Sequence, residues 1–318
     1  MTLPLIAVTM GDPAGIGPEV TLKAIADAAV LKVCQPVVVG HRGVLTTIAA
    51  KLGLVLPALI EDPTGEPEHD LPTPGRIDVR AGLMAGRCID HAIAGCREGR
   101  FAALVTAPIN KAAMHLAGYP FPGHTEWLAA RCGVSGETMM MYHRRLAVAL
   151  VTCHQSLISV PASLTTERIH HVGRQLHEAL RRLRRRAPRL ALLGFNPHAS
   201  EGGLFGDEEA RVIEPAAARL RADGIAVDGP LPPDTAFTPR ARKRYDGWIC
   251  MYHDQALLPF KALAFDDGVN VTLGLPIVRT SVDHGTAFDL AWQGTASHQS
   301  QIEAIRLAAR LAGNRQRR

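Results

Sequence analysis

The stretch Met251-Tyr252-His253-Asp254-Gln255 stands at the end of an apolar run, residues 247–252, that is typical of a buried β-strand. Two other histidines, His154 and His198, also follow apolar runs of this kind. Ligands of open α/β sheets bind outside the carboxyl ends of the strands. In an α/β fold, these strand ends therefore predict the position of the functional site.

Three histidines at strand ends suggest a metal site. Neutral imidazole is the commonest metal ligand in proteins, and three protein ligands with one open position form the catalytic arrangement. We therefore predict that His154, His198 and His253 hold one divalent cation. The alternative is that they are unrelated surface or core histidines, since the chain contains 14 histidines.

Predicted strands alternate with predicted helices along the whole chain, a pattern that indicates an α/β fold with a largely parallel sheet. The chain has 318 residues, of which 47% are hydrophobic, enough for about two domains. Because no linker is evident, we expect two lobes that exchange chain segments.

The composition disfavours several classes of protein. No run of about 18 apolar residues is present, and residues 1–6 lack the basic region of a signal peptide, so we expect a cytoplasmic protein and no membrane contact. The six cysteines form no C-x-x-C pair and are expected to be free thiols.

The formal net charge is +5, and much of the basic excess lies in residues 181–186 and 315–318. Such runs can bind nucleic acid. However, the first run ends a helical pattern, where cations complement the helix dipole, and only 5% of residues are aromatic. We therefore favour a solvated helix face without nucleic acid, in a field that suits an anionic substrate.

Two loops are candidate cofactor sites. The glycine-rich loop 11–17 has the spacing Gly-x3-Gly-x-Gly, which differs from the Rossmann fingerprint. It predicts either a backbone-lined turn that faces an anion or cofactor, or a purely structural turn. In the polar loop 283–289, His284 offers a ring for stacking and Gly285 permits close approach of a ligand to the backbone.

Several cationic and polar side chains could bind an anion. Arg279 lies within an apolar strand pattern and therefore needs an anionic partner, either phosphate or a protein carboxylate. Lys261 and Asn270 precede it, and His124 and Thr125 add donors at a predicted helix start.

Taken together, six motifs resemble the 4-hydroxythreonine-4-phosphate dehydrogenase family of pyridoxine biosynthesis, including its 4-phospho-D-threonate dehydrogenase paralogues. They span nearly the whole chain, and their order and spacing are specific. The motifs are TMGDPAGIGPE at 9–19, PGHTE at 122–126, NPH at 196–198, MYHDQ at 251–255, GVNVTLGLP at 268–276 and RTSVDHGTA at 279–287.

The resemblance implies a two-lobed α/β/α fold like that of isocitrate and isopropylmalate dehydrogenases, in a homodimer with the active site at the lobe and subunit interface. We expect residues 1–125 plus 285–318 to form the first lobe, and residues 126–284 to form the second lobe with the metal histidines. The implied site residues are His154, His198 and His253 for the metal; His124, Thr125, Lys261, Asn270 and Arg279 for the substrate; and Gly11, Asp12, Gly15, His284, Gly285 and Asp289 for the cofactor.

The implied reaction is metal-dependent oxidation of the C3 alcohol of 4-phosphohydroxy-L-threonine by NAD or NADP, followed by decarboxylation to 3-amino-2-oxopropyl phosphate. Zn, Mg, Mn or Co would all fit, since carboxylate or water ligands can complete the shell around the histidines. Asp234 and Asp254 are the acidic residues nearest the motifs and are candidates for catalysis or for orienting a ligand histidine.

Alternatives remain open. Residues 204–209 and 288–292 look more like the paralogous branch, whose substrates are 4-phospho-D-threonate or 4-phospho-D-erythronate. A metal-dependent hydrolase would use the same histidines without a nicotinamide cofactor. A catalytically silent basic protein would use residues 181–186 to bind nucleic acid in a salt-sensitive manner.

Overall fold

The chain folds into two α/β units in the computed structural model, which describes residues 3–121 and 123–313. The first unit comprises Met1–Ser135 and Leu275–Arg318, and the second comprises Gly136–Gly274. Pro122 of the PGHTE motif and the basic tail 315–318 lie outside the described residues. The strands are β1 (Leu5–Thr9), β2 (Gln35–Val39), β3 (Ile60–Glu61), β4 (Ala103–Thr106), β5 (Thr138–His143), β6 (Leu146–Leu150), β7 (Leu190–Leu193), β8 (Val227–Leu231), β9 (Gly247–Cys250), β10 (Val269–Leu273) and β11 (Arg279–Val282).

Helices connect most of these strands. Short 3-10 or π turns lie at Leu157–Ser159, Pro197–Glu201, Glu209–Ile213 and Phe288–Leu290. The helices are α1 (Gly17–Ile25), α2 (Ala28–Leu31), α3 (Arg42–Leu52), α4 (Val79–Arg97), α5 (Lys111–Leu116), α6 (His124–Cys132), α7 (Val160–Ser163), α8 (Thr166–Arg184), α9 (Glu214–Ala222), α10 (Pro239–Arg244), α11 (His253–Ala264) and α12 (Gln299–Gly313).

The first unit contains parallel strands in the order β3-β2-β1-β4-β11. Its central strand is apolar on both faces, since Ile6, Ala7 and Val8 are all fully buried. Such continuous burial is the rule for parallel strands with helices on both faces.

The second unit contains strands in the order β10-β5-β6-β9-β7-β8. The β10–β5 and β5–β6 pairs are antiparallel, whereas β6–β9, β9–β7 and β7–β8 are parallel. The core of this unit includes Trp248 and Phe260, both fully buried. The predicted α/β class with a largely parallel sheet is therefore confirmed.

Local sequence signals set the helix ends. Thr165 caps α8 by accepting a hydrogen bond from the Arg168 N–H at 3.1 Å. Gly53 and Gly133 end α3 and α6 in the left-handed conformation that glycine adopts at least cost. Within the described residues, none of the helices is long and apolar enough to cross a membrane.

The observed unit boundaries differ from the predicted ones in both places. The first predicted boundary, 125/126, would cut α6, but Trp127 and Arg131 of that helix both donate hydrogen bonds to Asp90 on α4. The second, 284/285, would separate β11 from the first unit, but Arg279 pairs with Leu104 of β4 in the parallel sheet. These contacts place α6 and β11 in the first unit.

Candidate active site

The three predicted metal histidines all lie in the second unit, after β6, β7 and β9. These strands are parallel neighbours, so their carboxyl ends meet at one edge of the sheet. The ring centroids of His154 and His253 are 5.6 Å apart. The ring of His198 instead lies 6.4 Å from that of Phe205. Across residues 3–121 and 123–313, no three His, Cys, Asp or Glu side chains are already grouped to hold a metal ion, so the three-histidine site stays a prediction.

Gln255 joins the ends of two of these strands. Its Oε1 accepts a hydrogen bond from the Met251 N–H, and its Nε2 donates to the Gly194 carbonyl, both at 2.7 Å. Thr152, which follows β6, links the end of that strand to the end of β9, because its Oγ1 donates to the Met251 carbonyl at 2.8 Å. The segments that carry the three histidines are thus held in register by buried polar groups.

We predict that Gln255→Leu lowers the free energy of unfolding by about 3 kcal/mol, because the buried Met251 N–H and Gly194 carbonyl lose their partner. Urea denaturation measures this change. The exposed Gln293, which donates one hydrogen bond to the Asp289 carbonyl, provides a matched control whose leucine variant should shift stability by less than about 0.5 kcal/mol. Equal effects at the two positions would contradict the proposal that Gln255 stabilises the fold by joining Met251 to Gly194.

The loop that carries His198 is strained. Four consecutive non-glycine residues, His198, Ala199, Ser200 and Glu201, have φ between 47° and 66°, a region that costs L-residues free energy and that recurs at functional sites. Glu209 holds the start of this loop, because its Oε1 accepts hydrogen bonds from the backbone N–H groups of residues 195 and 196, both at 2.7 Å. Glu209 is 1% exposed.

The two acidic candidates differ in their surroundings. Asp254 Oδ1 lies 2.7 Å from Nδ1 of His253, which leaves Nε2 of that ring available as a ligand. Asp234 is exposed and forms no ion pair within the part of the chain that the structure describes. Only Asp254 therefore contacts a predicted ligand.

Two predicted substrate residues lie in the second unit. Lys261 is on α11, with its Nζ 5.3 Å from the ring centroid of Phe265. Asn270 is on β10, and its buried Oδ1 has no hydrogen-bond partner among the described residues. A buried acceptor without a partner costs free energy, so this oxygen suits a ligand that donates a hydrogen bond.

The other predicted substrate residues lie in the first unit around Arg279, which is 2% exposed. Its Nη2 donates to Thr106 at 2.7 Å. Burial lowers the pKa of Arg279 to about 9, although the charge of Glu126 opposes that change, so the guanidinium stays cationic at neutral pH. A buried cation of this kind suits a phosphate ligand.

His124 begins α6, and Thr125 follows it in the first turn. Burial, followed by the charges of Arg279 and Lys111, lowers the pKa of His124 well below its ordinary value. The ring is therefore neutral at pH 7, and its buried Nε2 has no hydrogen-bond partner among the described residues. The sequence analysis assigns no site role to Lys111, Thr106 or Glu126, although Glu126 ends the PGHTE motif.

The two predicted cofactor loops contact each other within the first unit. The Ile16 N–H donates to the Thr286 carbonyl at 3.0 Å, and Trp292 Nε1 donates to the Pro13 carbonyl at 2.9 Å. Two non-glycine residues have positive φ here, Ala287 within the second loop at 37° and Trp292 just after it at 62°.

The glycines of these loops have different roles. A Cβ at Gly11 would lie 2.4 Å from the Pro108 carbonyl oxygen, and one at Gly15 would lie 2.8 Å from that of Thr286, so the protein's own packing requires both glycines. A Cβ at Gly285 would meet nothing within 4 Å. Its open surroundings suit the approach of a ligand. His284 and Asp289 are exposed on the same loop.

We predict that Gly285→Ala leaves the free energy of unfolding within about 0.5 kcal/mol of the parent value, because the site is open. Gly15→Ala should cost about 1–3 kcal/mol through overpacking. If Gly285 faces a nicotinamide cofactor, its alanine variant should weaken cofactor binding about tenfold, which fluorescence titration measures. Unchanged affinity in Gly285→Ala would contradict a cofactor role.

Asp12 is 1% exposed, and burial raises the pKa of its carboxyl to about 6, although the hydrogen bond from the Ala14 N–H opposes that rise. A raised pKa in the folded state favours the protonated carboxyl, so the stabilisation that it provides is present below about pH 4 and is lost as the pH rises through about 6. Asp12→Asn keeps the acceptor and removes the titration. We predict that this variant gains up to about 3 kcal/mol relative to the parent between about pH 4 and pH 7.5, as measured by urea denaturation. Parallel pH profiles for the two proteins would contradict this account.

Comparison with known proteins adds an independent observation. The family described as "Pyridoxal phosphate biosynthetic protein PdxA" matches residues 32–308. A 4-hydroxythreonine-4-phosphate dehydrogenase from Geobacter metallireducens is 45% identical, over 98% of this chain and 96% of the relative. A D-threonate 4-phosphate dehydrogenase from Salmonella typhimurium is 42% identical, over 96% of this chain and 98% of the relative.

Solved structures agree with these relatives. The crystal structure of a 4-hydroxythreonine-4-phosphate dehydrogenase from Klebsiella pneumoniae superposes with a TM-score of 0.87 at 44% identity, covering 98% of each chain. A β-decarboxylating dehydrogenase from Thermococcus kodakarensis shares the fold at 13% identity, with a TM-score of 0.53. The predicted isocitrate/isopropylmalate-dehydrogenase-like fold is therefore confirmed, and the chain belongs to the PdxA family of pyridoxal phosphate biosynthetic proteins.

Proposed function

We propose that this chain is an NAD(P)-dependent, metal-dependent dehydrogenase that oxidises the C3 alcohol of 4-phosphohydroxy-L-threonine. The resulting β-keto acid then loses carbon dioxide and gives 3-amino-2-oxopropyl phosphate. The observation that carries the proposal is the similarity, over nearly the whole chain, to relatives named as dehydrogenases of this substrate.

The histidine residues fit a divalent metal. Two imidazoles on one ion, with metal–nitrogen distances of about 2.1 Å, have ring centroids roughly 5 Å apart, close to the 5.6 Å between His154 and His253. His198 would be the third ligand of a Zn, Mg, Mn or Co ion. When bound, such a cation supplies Lewis acidity that lowers the pKa of a coordinated hydroxyl.

The protein's own side chains position the reactants. Asp254 orients the ring of His253 through its hydrogen bond to Nδ1. Arg279 binds the phosphate group with its planar donor fork, and neutral His124 donates or accepts one hydrogen bond beside it. We assign Thr125, Lys261 and Asn270 to the same substrate. Asp234 stays a predicted acid–base residue.

We assign the nicotinamide cofactor, NAD or NADP, to the two loops of the first unit that contact each other. Gly11, Asp12 and Gly15 shape the first loop, whereas His284, Gly285 and Asp289 present exposed atoms from the second. When bound there, a nicotinamide would supply the hydride acceptor for oxidation at C3.

A second substrate is also supported, because relatives named D-threonate 4-phosphate dehydrogenase are nearly as similar as those named for the amino substrate. The two substrates differ in an amino or a hydroxyl group and share the phosphate and the C3 alcohol. A residue set that recognises the shared groups would bind either one.

The experiment that tests the proposal is NAD(P)H formation with a divalent metal, with 4-phosphohydroxy-L-threonine and 4-phospho-D-threonate offered separately. A higher kcat/KM for the amino substrate supports the proposed function. A higher value for the threonate would assign the chain to sugar-acid catabolism, and turnover of neither substrate would contradict both.

We further propose that the protein acts as a cytoplasmic homodimer. Family resemblance supports this assignment. Sedimentation equilibrium should give a mass of twice the 34.2 kDa of one chain. A monomer that is fully active at the same concentration would contradict it.

A further inference from the structure

A strongly basic cavity lies in the second unit, at the edge of the sheet where β6 and β9 begin. Its volume is about 420 Å³. The turn between β5 and β6, the residues at the end of α8, and α10 all contribute to its walls. Its cationic lining residues are Arg144, Arg145, Arg184, Arg186, Arg242 and Lys243.

Asp246 is the only acidic residue of this lining, and its hydrogen-bonding capacity is already used. Its carboxylate accepts two hydrogen bonds from Arg186, at 2.7 and 2.9 Å, and one from the Arg189 N–H at 2.9 Å. Arg184 lies 3.2 Å from the same carboxylate. Burial acts to raise the pKa of Asp246, but these partners outweigh it and leave the pKa lowered, so the group is charged at neutral pH.

The remaining cations lack such compensation. Within the part of the chain that the structure describes, no ion pair involves Arg144, Arg145 or Lys243. Six cations against one carboxylate leave five positive charges at this cavity, as many as the formal net charge of the whole chain, +5. Clustered like charges in a concave surface repel one another and focus a positive potential that attracts anions.

This cluster is more than the solvated end of one helix. Further back on α8, Glu178 pairs with both Arg181 and Arg182, as expected of an ordinary helix surface. The cations of the cavity come instead from three separate elements that converge. Guanidinium groups arranged in this way can donate paired hydrogen bonds to phosphate oxygens.

The cavity is also separate from the histidine site. The parallel strands β6 and β9 begin at the basic cavity and end at the segments that carry His154 and His253. A strand of five residues spans roughly 15 Å, so an anion here cannot contact those histidines.

We propose that this cavity is a second anion site, which binds the di- or triphosphate group of a small molecule. The ring of Tyr245, the aromatic residue of the lining, is 7% exposed and lies beneath the guanidinium groups of Arg189 and Arg244. It therefore offers no free face to a nucleobase, and recognition rests on the polyphosphate group.

The test is calorimetric titration of the full chain with inorganic pyrophosphate and tripolyphosphate at constant ionic strength. Lys243→Glu and Arg145→Glu should each weaken binding at least tenfold. Arg240→Glu is the matched control, because Arg240 is exposed on the same helix as Lys243 but does not line the cavity. Its affinity should stay within twofold of the parent value.

Two outcomes would overturn the proposal. One is parent-like pyrophosphate binding in Lys243→Glu and Arg145→Glu, with binding lost instead in Arg279→Met, which would locate the anion at the substrate residues. The other is tight binding of a fluorescent single-stranded oligonucleotide without measurable binding of pyrophosphate. The proposal does not depend on the assigned dehydrogenase reaction, since the readout is binding alone.

Discussion

Replacing His253 with alanine is expected to lower kcat/KM for the phosphorylated substrate at least about a thousandfold, because it removes one of three proposed metal ligands and the Lewis acidity that depends on them. His253 is close to His154 and is oriented by Asp254. NAD(P)H formation at saturating metal measures the effect. The same loss is expected for His154→Ala.

His170→Ala provides the matched control. His170 belongs to the same unit and also lies beside a carboxylate, with its Nε2 2.8 Å from Asp223. It lies on α8, outside the segments that follow β6, β7 and β9. Its variant should retain activity within about threefold of the parent. A His253→Ala variant that folds and keeps more than a tenth of the parent activity would contradict the assigned site.

Replacing Arg279 with methionine is expected to lower kcat/KM by about a thousandfold, mainly through KM, because the proposed charge-assisted bidentate contact to the phosphate would be lost. Methionine is chosen because it fills most of the same volume without a charge. Arg279→Lys should recover less than a tenth of the loss, since an ammonium group cannot reproduce the planar fork.

The stability of Arg279→Met separates a binding role from a structural one. Burial lowers the pKa of Arg279, so the charged side chain is held in the fold at some cost. We expect the methionine variant to be at least as stable as the parent, with a free energy of unfolding up to about 1 kcal/mol higher. A variant that unfolds more easily and retains the parent KM would show that Arg279 has a structural role and no role in binding.

The sequence predicted those features that depend on local pattern. The apolar runs before the three histidines are strands, and neighbouring parallel strands bring their ends to one edge of the sheet. The pattern around Arg279 predicts a binding role, because a cation within an apolar strand requires a partner.

Contacts between distant segments could not be predicted in this way. Gln255 joins Met251 to Gly194, which are 57 residues apart in sequence (194 to 251) and meet only because β7 and β9 are neighbours. Glu209 is an ordinary helix residue in the sequence, yet it holds the strained loop of His198. Its role depends on positive φ angles that no local pattern predicts.

The glycine-rich loop shows how a motif can have two causes. The sequence left open whether Gly11 and Gly15 face a ligand or serve a turn. Both lie against backbone carbonyls of the same unit, so packing explains these two glycines. No atom would lie within 4 Å of a Cβ at Gly285, so we retain the interpretation that this glycine faces a ligand.

We propose that the ends of β6, β7 and β9 form one metal site, and the decisive experiment is calorimetric titration of chelator-treated protein with Mn²⁺ or Co²⁺. We expect one ion to bind per chain, with binding weakened about a hundredfold or more in His154→Ala, His198→Ala and His253→Ala alike, and unchanged in His170→Ala. A parent protein that binds no ion, or three variants that bind it as tightly as the parent, would contradict the account.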